Sequence, residues 1–305
     1  MFFKNLMVYQ LREPFEMAPD ALEEALAELS FTPCGKLQLS SYGWTSPMGR
    51  LSDMRVHSGS GFHLICAKKE ERILPASVIR DFVNDKVTAI EEAEMRKLRK
   101  RERDEIKDQI IMELIPKAFT RSSQTFALVA PQQGFLIIDA ASVKKADDFI
   151  ELLSKTLDHF SLQIPQVKNP PAILMTQWLA GTELPPVDIE IGDECELIES
   201  GDEGGIVRCR RQDLGSDEIK AHLDAGKHAV KLGLAWDERL SFVLADDLSV
   251  KKLRYGDELL EQAADQGAGD EAAQFDADFT LMSLELARFV PRLFEIFGGL
   301  EAERV

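Results

Sequence analysis

The 305-residue sequence contains no run of about 18 apolar residues, the length that a transmembrane helix needs. The first residues do not match a secretory signal peptide, because Lys4, Asn5 and Gln10 interrupt the first apolar stretch and no small-residue cleavage site follows. The four cysteines lie far apart without a CxxC pair, so we expect free and mostly packed thiols. These absences predict a cytoplasmic protein without a membrane segment.

Motifs typical of enzymes are also missing. The five histidines show no spacing typical of a metal site, and no serine or cysteine lies in a recognised nucleophile motif. His57 and His63 flank a Gly-Ser-Gly turn, but no GK[ST] follows, so this is not a P-loop. Asp276 and Asp278 resemble an acidic metal pair, although two carboxylates in the first turn of a helix explain them better. We expect no catalytic residue, no metal and no cofactor.

Charge is unevenly distributed along the chain, whose net charge is −17. Residues 183–203 hold nine acids and no base, and residues 257–305 hold twelve acids against three arginines. These two segments account for the whole excess of acid, because the remaining residues carry a charge of +1. Basic residues are concentrated in three short stretches of that remainder, at 95–103, 206–212 and 250–255. Local charge therefore says more about an anionic partner than the total does.

The strand predicted at 206–211 offers the clearest candidate phosphate contacts. Arg208 and Arg210 share one face of this strand, and Arg211 and Gln212 add donors at its end. Residues 206–212 contain three arginines and no acid, which favours an anionic partner over internal ion pairs.

A helical region is predicted from Val78 to Ile115, ahead of Pro116. Its two ends are amphipathic, but residues 91–105 are polar on every side and cannot be buried, which predicts a projecting helical finger. The finger carries six candidate DNA-binding bases: Arg96, Lys97, Arg99, Lys100, Arg101 and Arg103. A solvated face paired with neighbouring glutamates explains these bases equally well.

Lys117, Phe119 and Arg121 follow the finger and add two bases and one aromatic ring that could stack or wedge. For Phe119 a place in the core is the expected one.

The remaining patterns predict a mixed α+β fold with antiparallel sheets. Apolar residues alternate on both sides of Asp237-Glu238, as in a β-hairpin, while residues 173–179 favour a strand and 262–271 a loop. Three regions follow from these patterns: a central α+β region of residues 1–76 plus 117–170, the finger at 77–116, and a second α+β region at 171–305.

The apolar tail at 275–297 predicts a helix with more than one apolar face. Such a helix needs a second surface to cover it, so we expect a homodimer contact there. Burial within one subunit is the alternative. The expected interface residues are Phe279, Leu286, Phe289, Leu293 and Phe297.

Many blocks of the sequence resemble the recombination-associated protein RdgC family of proteobacteria, and the similarity runs essentially from end to end. The blocks are FKNLMVY at 3–9, FTPCG at 31–35, GWTSPMG at 43–49, ICAKKEERILPASVI at 65–79, LIPKAFTRSSQT at 114–125, IDAASVKKADD at 138–148, GGIVRCRRQDL at 204–214 and QFDADFTLM at 274–282.

The resemblance implies a nucleoid-associated, non-enzymatic protein that binds double-stranded and single-stranded DNA with little sequence preference. It further implies a ring-shaped homodimer with a positively lined hole, which limits RecA recombinase by competing for DNA. The finger bases, residues 117–121 and residues 208–212 are then the candidates for lining the hole. Two alternatives stay open. One is a metal-dependent nuclease using Asp276, Asp278 and Asp139, and the other is a factor that binds the recombinase directly through its acidic surface.

Overall fold

The computed structural model describes residues 1–158, 160–201, 204–267 and 269–301. His159 and two acids of the 183–203 segment, Asp202 and Glu203, lie outside these residues. The described chain contains eight helices and two sheets, in which every registered strand pair is antiparallel. The α+β prediction is therefore confirmed.

The helices and strands are numbered in chain order. The helices are α1 (Pro19–Glu28), α2 (Ala76–Glu94), α3 (Lys100–Leu114), α4 (Val143–Thr156), α5 (Pro171–Ala180), α6 (Asp217–Asp224), α7 (Asp257–Gln266) and α8 (Glu271–Ile296). The strands are β1 (Met7–Leu11), β2 (Ser40–Thr45), β3 (Val56–Gly59), β4 (Phe62–Arg72), β5 (Thr120–Ala130), β6 (Phe135–Ile138), β7 (Leu162–Gln163), β8 (Ile189–Glu199), β9 (Ile206–Arg210), β10 (Lys227–Trp236), β11 (Leu240–Ala245) and β12 (Val250–Tyr255). Among the described residues, no helix is both long and apolar enough to span a membrane.

The chain divides into two compact units. Unit 1 comprises Met1–Leu26, Ser46–Cys66 and Thr125–Val305, and unit 2 comprises Ala27–Thr45 and Ala67–Gln124. Within unit 1, antiparallel pairing joins β5 to β6, β6 to β1, β1 to β7, and β3 to β4. Unit 2 holds β2, α2, α3 and the parts of β4 and β5 that fall in its ranges.

A second sheet of unit 1 has five strands in the order β12-β11-β10-β8-β9. The predicted hairpin is its β10–β11 pair, in which Leu234 lies opposite Phe242. Three residues, 237–239, connect the strands; Asp237 and Glu238 both adopt positive φ, 52° and 55°, and the Arg239 backbone N–H donates to the Trp236 carbonyl at 2.9 Å. This strand prediction is confirmed.

Two other sequence predictions are wrong. Residues 173–179 lie in helix α5 and not in a strand, because a short apolar run does not reveal its period; Pro171 at the helix start and Gly181 in the left-handed region at its end were the better signals. Residues 262–266 extend α7, where alanine favours the helix, and Leu259 and Ala263 are buried one turn apart.

Helix α8 lies at the centre of the unit 1 core. The Phe289 ring centroid is 5.3 Å from that of Trp236 and 4.9 Å from that of Phe242, on β10 and β11. Phe297, just beyond the helix, lies 5.8 Å from Trp178 of α5. The helix therefore covers one face of the five-stranded sheet with aromatic side chains.

Two ion pairs fix α8 in this position. Arg292 donates to both carboxylate oxygens of Asp188 at 2.8 and 2.9 Å, and the Trp236 indole also donates to Asp188. The hydrogen bond from Arg292 lowers the pKa of Asp188 to about 2. Arg239 makes a bidentate pair with the buried Glu285, both distances being 2.7 Å.

The expected dimer contact on this helix is wrong for the residues named. Side chains 279, 286, 289, 293 and 297 are each no more than 1% exposed within a single chain, so they have no surface left for a partner. The several apolar faces of α8 are covered by the five-stranded sheet, by α5 and by strands β3 and β6, since the Phe279 ring lies 4.7 Å from His57 and the Phe294 ring 5.4 Å from Phe135.

In unit 2, α2 and α3 form a helical hairpin. Their shared apolar cluster contains Val87, Leu98, Ile106 and Ile110. Residues 95–99 connect the two helices without being helical, and Met95 ends α2 with φ of 55°. The prediction of helix through this polar centre is wrong, because a turn leaves those side chains in water while both helices bury their apolar faces.

Replacing Phe289 tests the assignment of α8 to the core. Phe289→Ala should lower the free energy of unfolding by about 3–5 kcal/mol, because it leaves a cavity among buried rings. Leu284→Ala is the matched control on the same helix, since Leu284 is 45% exposed, and it should cost less than about 1 kcal/mol. Urea unfolding gives both values. A Phe289→Ala protein that keeps its stability but dissociates from a dimer would contradict this assignment.

Candidate nucleic-acid interface

The face of the five-stranded sheet opposite α8 carries a band of charge. Two neighbouring hollows of about 450 and 170 Å³ lie along it. We call their charged lining the basic groove. Its bases are Arg208, Arg210, Arg211, Lys231, Lys251, Lys252 and Arg254, and its acids are Asp193, Glu194 and Glu196. Seven bases against three acids leave an excess of four positive charges in a chain of net charge −17.

Arg208 and Arg210 are not without acid partners, contrary to the expectation from the sequence. The β8–β9 register places Glu196 opposite Arg208 and Glu194 opposite Arg210. The Arg208 Nε lies 2.8 Å from a Glu196 oxygen, and the Arg210 Nε lies 3.9 Å from a Glu194 oxygen. The inference from missing local acids was wrong, because the partners come from a neighbouring strand.

Lys231 is a groove residue that the sequence analysis missed. Its Nζ lies 3.0 Å from Glu196, which therefore accepts from Lys231 and from Arg208. Partial burial alone would raise the pKa of Glu196, but these hydrogen bonds outweigh it and lower the pKa. The position of Lys231 on an outward-facing site of β10 was the signal available in the sequence.

Arg211 differs from its two neighbours. It is exposed, lines the groove, and has no ion pair among the residues that the structure describes. Its φ of 56° lies in the left-handed region, where any residue with a Cβ atom is disfavoured by roughly 1–2 kcal/mol. Gln212 is also exposed, and its backbone N–H donates to the Asp193 carbonyl at 3.2 Å.

Lys252, on the other side of the groove, also has a positive φ, at a β-bulge in β12. The β11–β12 register slips by one residue, and Lys252 is the extra residue, with φ of 53°. Because of this bulge, Lys251 and Arg254, three positions apart, both pair with outward positions of β11, and Lys252 between them is exposed and also lines the groove. The Lys252 Nζ donates to both oxygens of Glu194, at 2.8 and 2.5 Å.

The bases of the predicted finger lie around the α2–α3 turn in unit 2, and four of the six are paired there with glutamates. Arg96 contacts Glu94 and Glu102, Lys97 and Arg103 contact Glu91, and Arg101 contacts Glu105, at 2.6–3.1 Å. The hydrogen bond from Lys97 lowers the pKa of Glu91 to about 2, and that from Arg96 lowers the pKa of Glu102 to about 2. For Arg99 and Lys100, both exposed, the described residues provide no ion pair.

Phe119 corrects another expectation, since its ring is 85% exposed and not in the core. Lys117 and Arg121 are exposed as well, and neither has an ion pair among the described residues. Phe119 and Arg121 are two positions apart in extended backbone and therefore share a face. We call these three residues of unit 2 the Phe119 patch.

The three carboxylates of the nuclease alternative have separate partners. Asp139 accepts from the backbone and side chain of Asn5, Asp276 lies 3.2 Å from the His57 ring nitrogen, and Asp278 accepts from Gln274. No group of three metal-ligating side chains occurs in the described part of the chain. The four cysteines are free, as expected, and three of them are buried.

Comparisons with known proteins agree over the full length. A family model described as "Putative exonuclease, RdgC" matches residues 1–300. The chain is 46% identical over 304 residues to the recombination-associated protein RdgC of Tolumonas auensis, which covers 99% of this chain and 100% of that protein. It is 47% identical over 302 residues to the protein of the same name from Pseudomonas aeruginosa PAO1, covering 99% and 98%.

Replacing Lys252 or its neighbour Lys251 by glycine tests whether the positive φ of Lys252 costs stability. Lys252→Gly should leave the free energy of unfolding within about 0.5 kcal/mol of the parent, because relief of the left-handed φ offsets the added freedom of the unfolded chain. Lys251→Gly, where φ is not positive, should cost about 0.5–1 kcal/mol. Urea unfolding of both variants measures the difference. Equal losses would show that the bulge carries no strain.

Proposed function

Since the chain belongs to the RdgC family of recombination-associated proteins, we propose that it binds DNA, double-stranded and single-stranded, through phosphate contacts and without base-specific readout. We further propose that it acts in the nucleoid of the cytoplasm as a homodimeric ring, has no catalytic activity, and limits RecA recombinase by competing for DNA. The observation that carries the proposal is the basic groove, with its excess of four positive charges in an acidic chain.

The ion pairs within the groove are compatible with phosphate binding. Arg208 and Arg210 are 61% and 71% exposed, whereas their partners Glu196 and Glu194 are 15% and 21% exposed. Each arginine contacts its glutamate through Nε, so a phosphate can contact the remaining guanidinium N–H donors without displacing the glutamate. Arg211, which has no ion pair among the described residues, is the strongest single candidate.

The Phe119 patch adds a contact suited to single strands. The exposed Phe119 ring can stack on a nucleobase, while Lys117 and Arg121, which have no ion pair among the described residues, contact the neighbouring phosphates. Stacking tolerates any base, so the patch is compatible with binding without sequence preference.

A ring would reconcile DNA binding with the overall acidity. DNA repels a face that carries the acids of 183–203 or 257–305, so binding is favourable only if bases line the hole and acids point away. Phosphate contacts then position the protein on DNA without specifying sequence. In this proposal the α2–α3 hairpin is the projecting finger, and Arg99 and Lys100 are its bases without an ion pair among the described residues.

The salt dependence of DNA binding tests the groove. Arg211→Asn removes one charge but keeps a residue that tolerates positive φ, so it should flatten the slope of log K against log salt by about 1 per chain, or about 2 per dimer. Arg208→Gln should change the slope less, because that arginine already has Glu196 as partner. Lys155→Gln on α4 removes the same charge elsewhere and is the control.

Three outcomes of that titration, made without recombinase, would overturn parts of the proposal. Unchanged slopes for the groove variants would remove the groove assignment. No binding at all would favour direct interaction with the recombinase. Degradation of the DNA when Mg²⁺ or Mn²⁺ is added would favour the nuclease alternative.

Phe119→Ala should weaken binding to a single-stranded oligonucleotide by about 1–3 kcal/mol per chain if a base stacks on the ring. Phe119→Trp, which keeps an aromatic face, should retain most of the affinity. Fluorescence anisotropy measures both variants, with unfolding free energies as the control for stability. Equal losses for the two variants would contradict stacking.

Retention on plasmids tests the ring. A closed ring threaded by DNA can leave a circular plasmid only by opening, but can slide off the ends of the same plasmid after linearisation. We expect a larger fraction retained on the circle than on the linear form after an equal salt challenge. Equal loss from both would contradict the ring while leaving phosphate binding intact.

A further inference from the structure

Strands β8 and β9 place two cysteines directly opposite each other. Cys195 and Cys209 are partners in the antiparallel register, between the Glu194–Arg210 and Glu196–Arg208 pairs. Directly opposite residues of an antiparallel pair have Cα atoms about 4.5–5.5 Å apart, within the roughly 4.4–6.8 Å that a disulfide spans. The backbone therefore already meets the main requirement for a cross-link.

The side chains also share one face of the sheet. Cys195 and Cys209 lie on the inward face with Leu197, and burial, followed by the neighbouring thiol, raises the pKa of Cys195 to about 12. Both residues are buried, at 5% and 9% exposure, and belong to the main apolar core of unit 1, although both also border the smaller hollow of the basic groove. Because β9 is an edge strand, local opening there would expose the two thiols to an oxidant.

We propose that Cys195 and Cys209 are a modification site, at which a low-molecular-weight disulfide converts the two thiols into a reversible cross-strand disulfide. Cys34 and Cys66 are not opposite any cysteine in the described register, and the Cys34 thiol donates to the Glu70 carbonyl. The inference does not depend on DNA binding.

The reaction balances with oxidised glutathione as the oxidant. One cysteine, as thiolate, attacks a glutathione sulfur, which forms a mixed disulfide and releases one reduced glutathione. The other cysteine then attacks the protein sulfur of that mixed disulfide, forms the Cys195–Cys209 bond, and releases the second glutathione. Two electrons and the two thiol protons pass to the two glutathione molecules formed.

The cross-link would act on the edge of the sheet. Strand β9 is five residues long and is the last strand of the five-stranded sheet, and β8 is its only partner among the described strands. A disulfide would tie β9 to β8 and hold Arg208 and Arg210 beside their glutamates. Amide hydrogen exchange in β9 should therefore slow when the disulfide forms.

Peptide mapping of the intact protein tests the proposal. The native chain is equilibrated with mixtures of reduced and oxidised glutathione, alkylated with N-ethylmaleimide, and digested with trypsin without reduction. Trypsin cuts after Lys168, Arg208 and Arg210, so the disulfide should join the dipeptide 209–210 to the peptide 169–208. This species should increase with the oxidised fraction, exceed any other cysteine pairing at least tenfold, and disappear with dithiothreitol.

Two variants complete the test. Cys209→Ser should abolish the linked species and leave Cys195 alkylated or glutathionylated, whereas Cys34→Ser should leave the 195–209 link unchanged. If the oxidised wild-type protein carries only glutathione adducts or alkylated thiols at 195 and 209, the proposal is wrong. It is also wrong if Cys34→Ser removes the link.

Discussion

The alternation of side chains along the five-stranded sheet is the constraint on which the rest of unit 1 depends. One face must accommodate the aromatic side chains of α8, so Phe242, Trp236 and Leu197 point inward. Because successive strand residues point to opposite faces, the intervening positions are forced outward. The outward positions of β8, β9, β10 and β12 are where the charged residues occur. Core packing by α8 thus determines which residues meet in the basic groove.

The local elements of this arrangement could be predicted from the sequence, but their partners could not. Alternating apolar residues identified the β10–β11 hairpin, and the spacing of Arg208 and Arg210 identified their common face. The residues around Arg208 do not reveal that Glu196 is its partner, because this contact depends on the pairing of β8 with β9. The same limit hid Lys231 and the opposition of Cys195 to Cys209.

Other errors arose where burial decides between two local patterns. The apolar residues of α8 predicted that another surface must pack against this helix. They did not predict whether that surface belongs to a second copy or to the same chain. Phe119 shows the reverse case, since hydrophobicity favours the core while the fold leaves the ring in water. Its position between Lys117 and Arg121 was the better signal, because bases on both sides of an aromatic residue are unusual in a core.

Two bases of the groove occupy backbone conformations that their residue types disfavour. Arg211 follows the last residue of β9, and Lys252 is the extra residue of the β12 bulge; both have φ above 50°. Glycine would adopt either conformation without this cost. Residues held in costly conformations persist where the surrounding fold enforces them, and they cluster at functional sites. Two such residues, both basic and both lining one groove, therefore strengthen the case that the charge itself is selected. Lys252 has Glu194 as a partner within the fold, whereas Arg211 has no ion pair among the described residues, so Arg211 is the position where a bound anion would offset the cost.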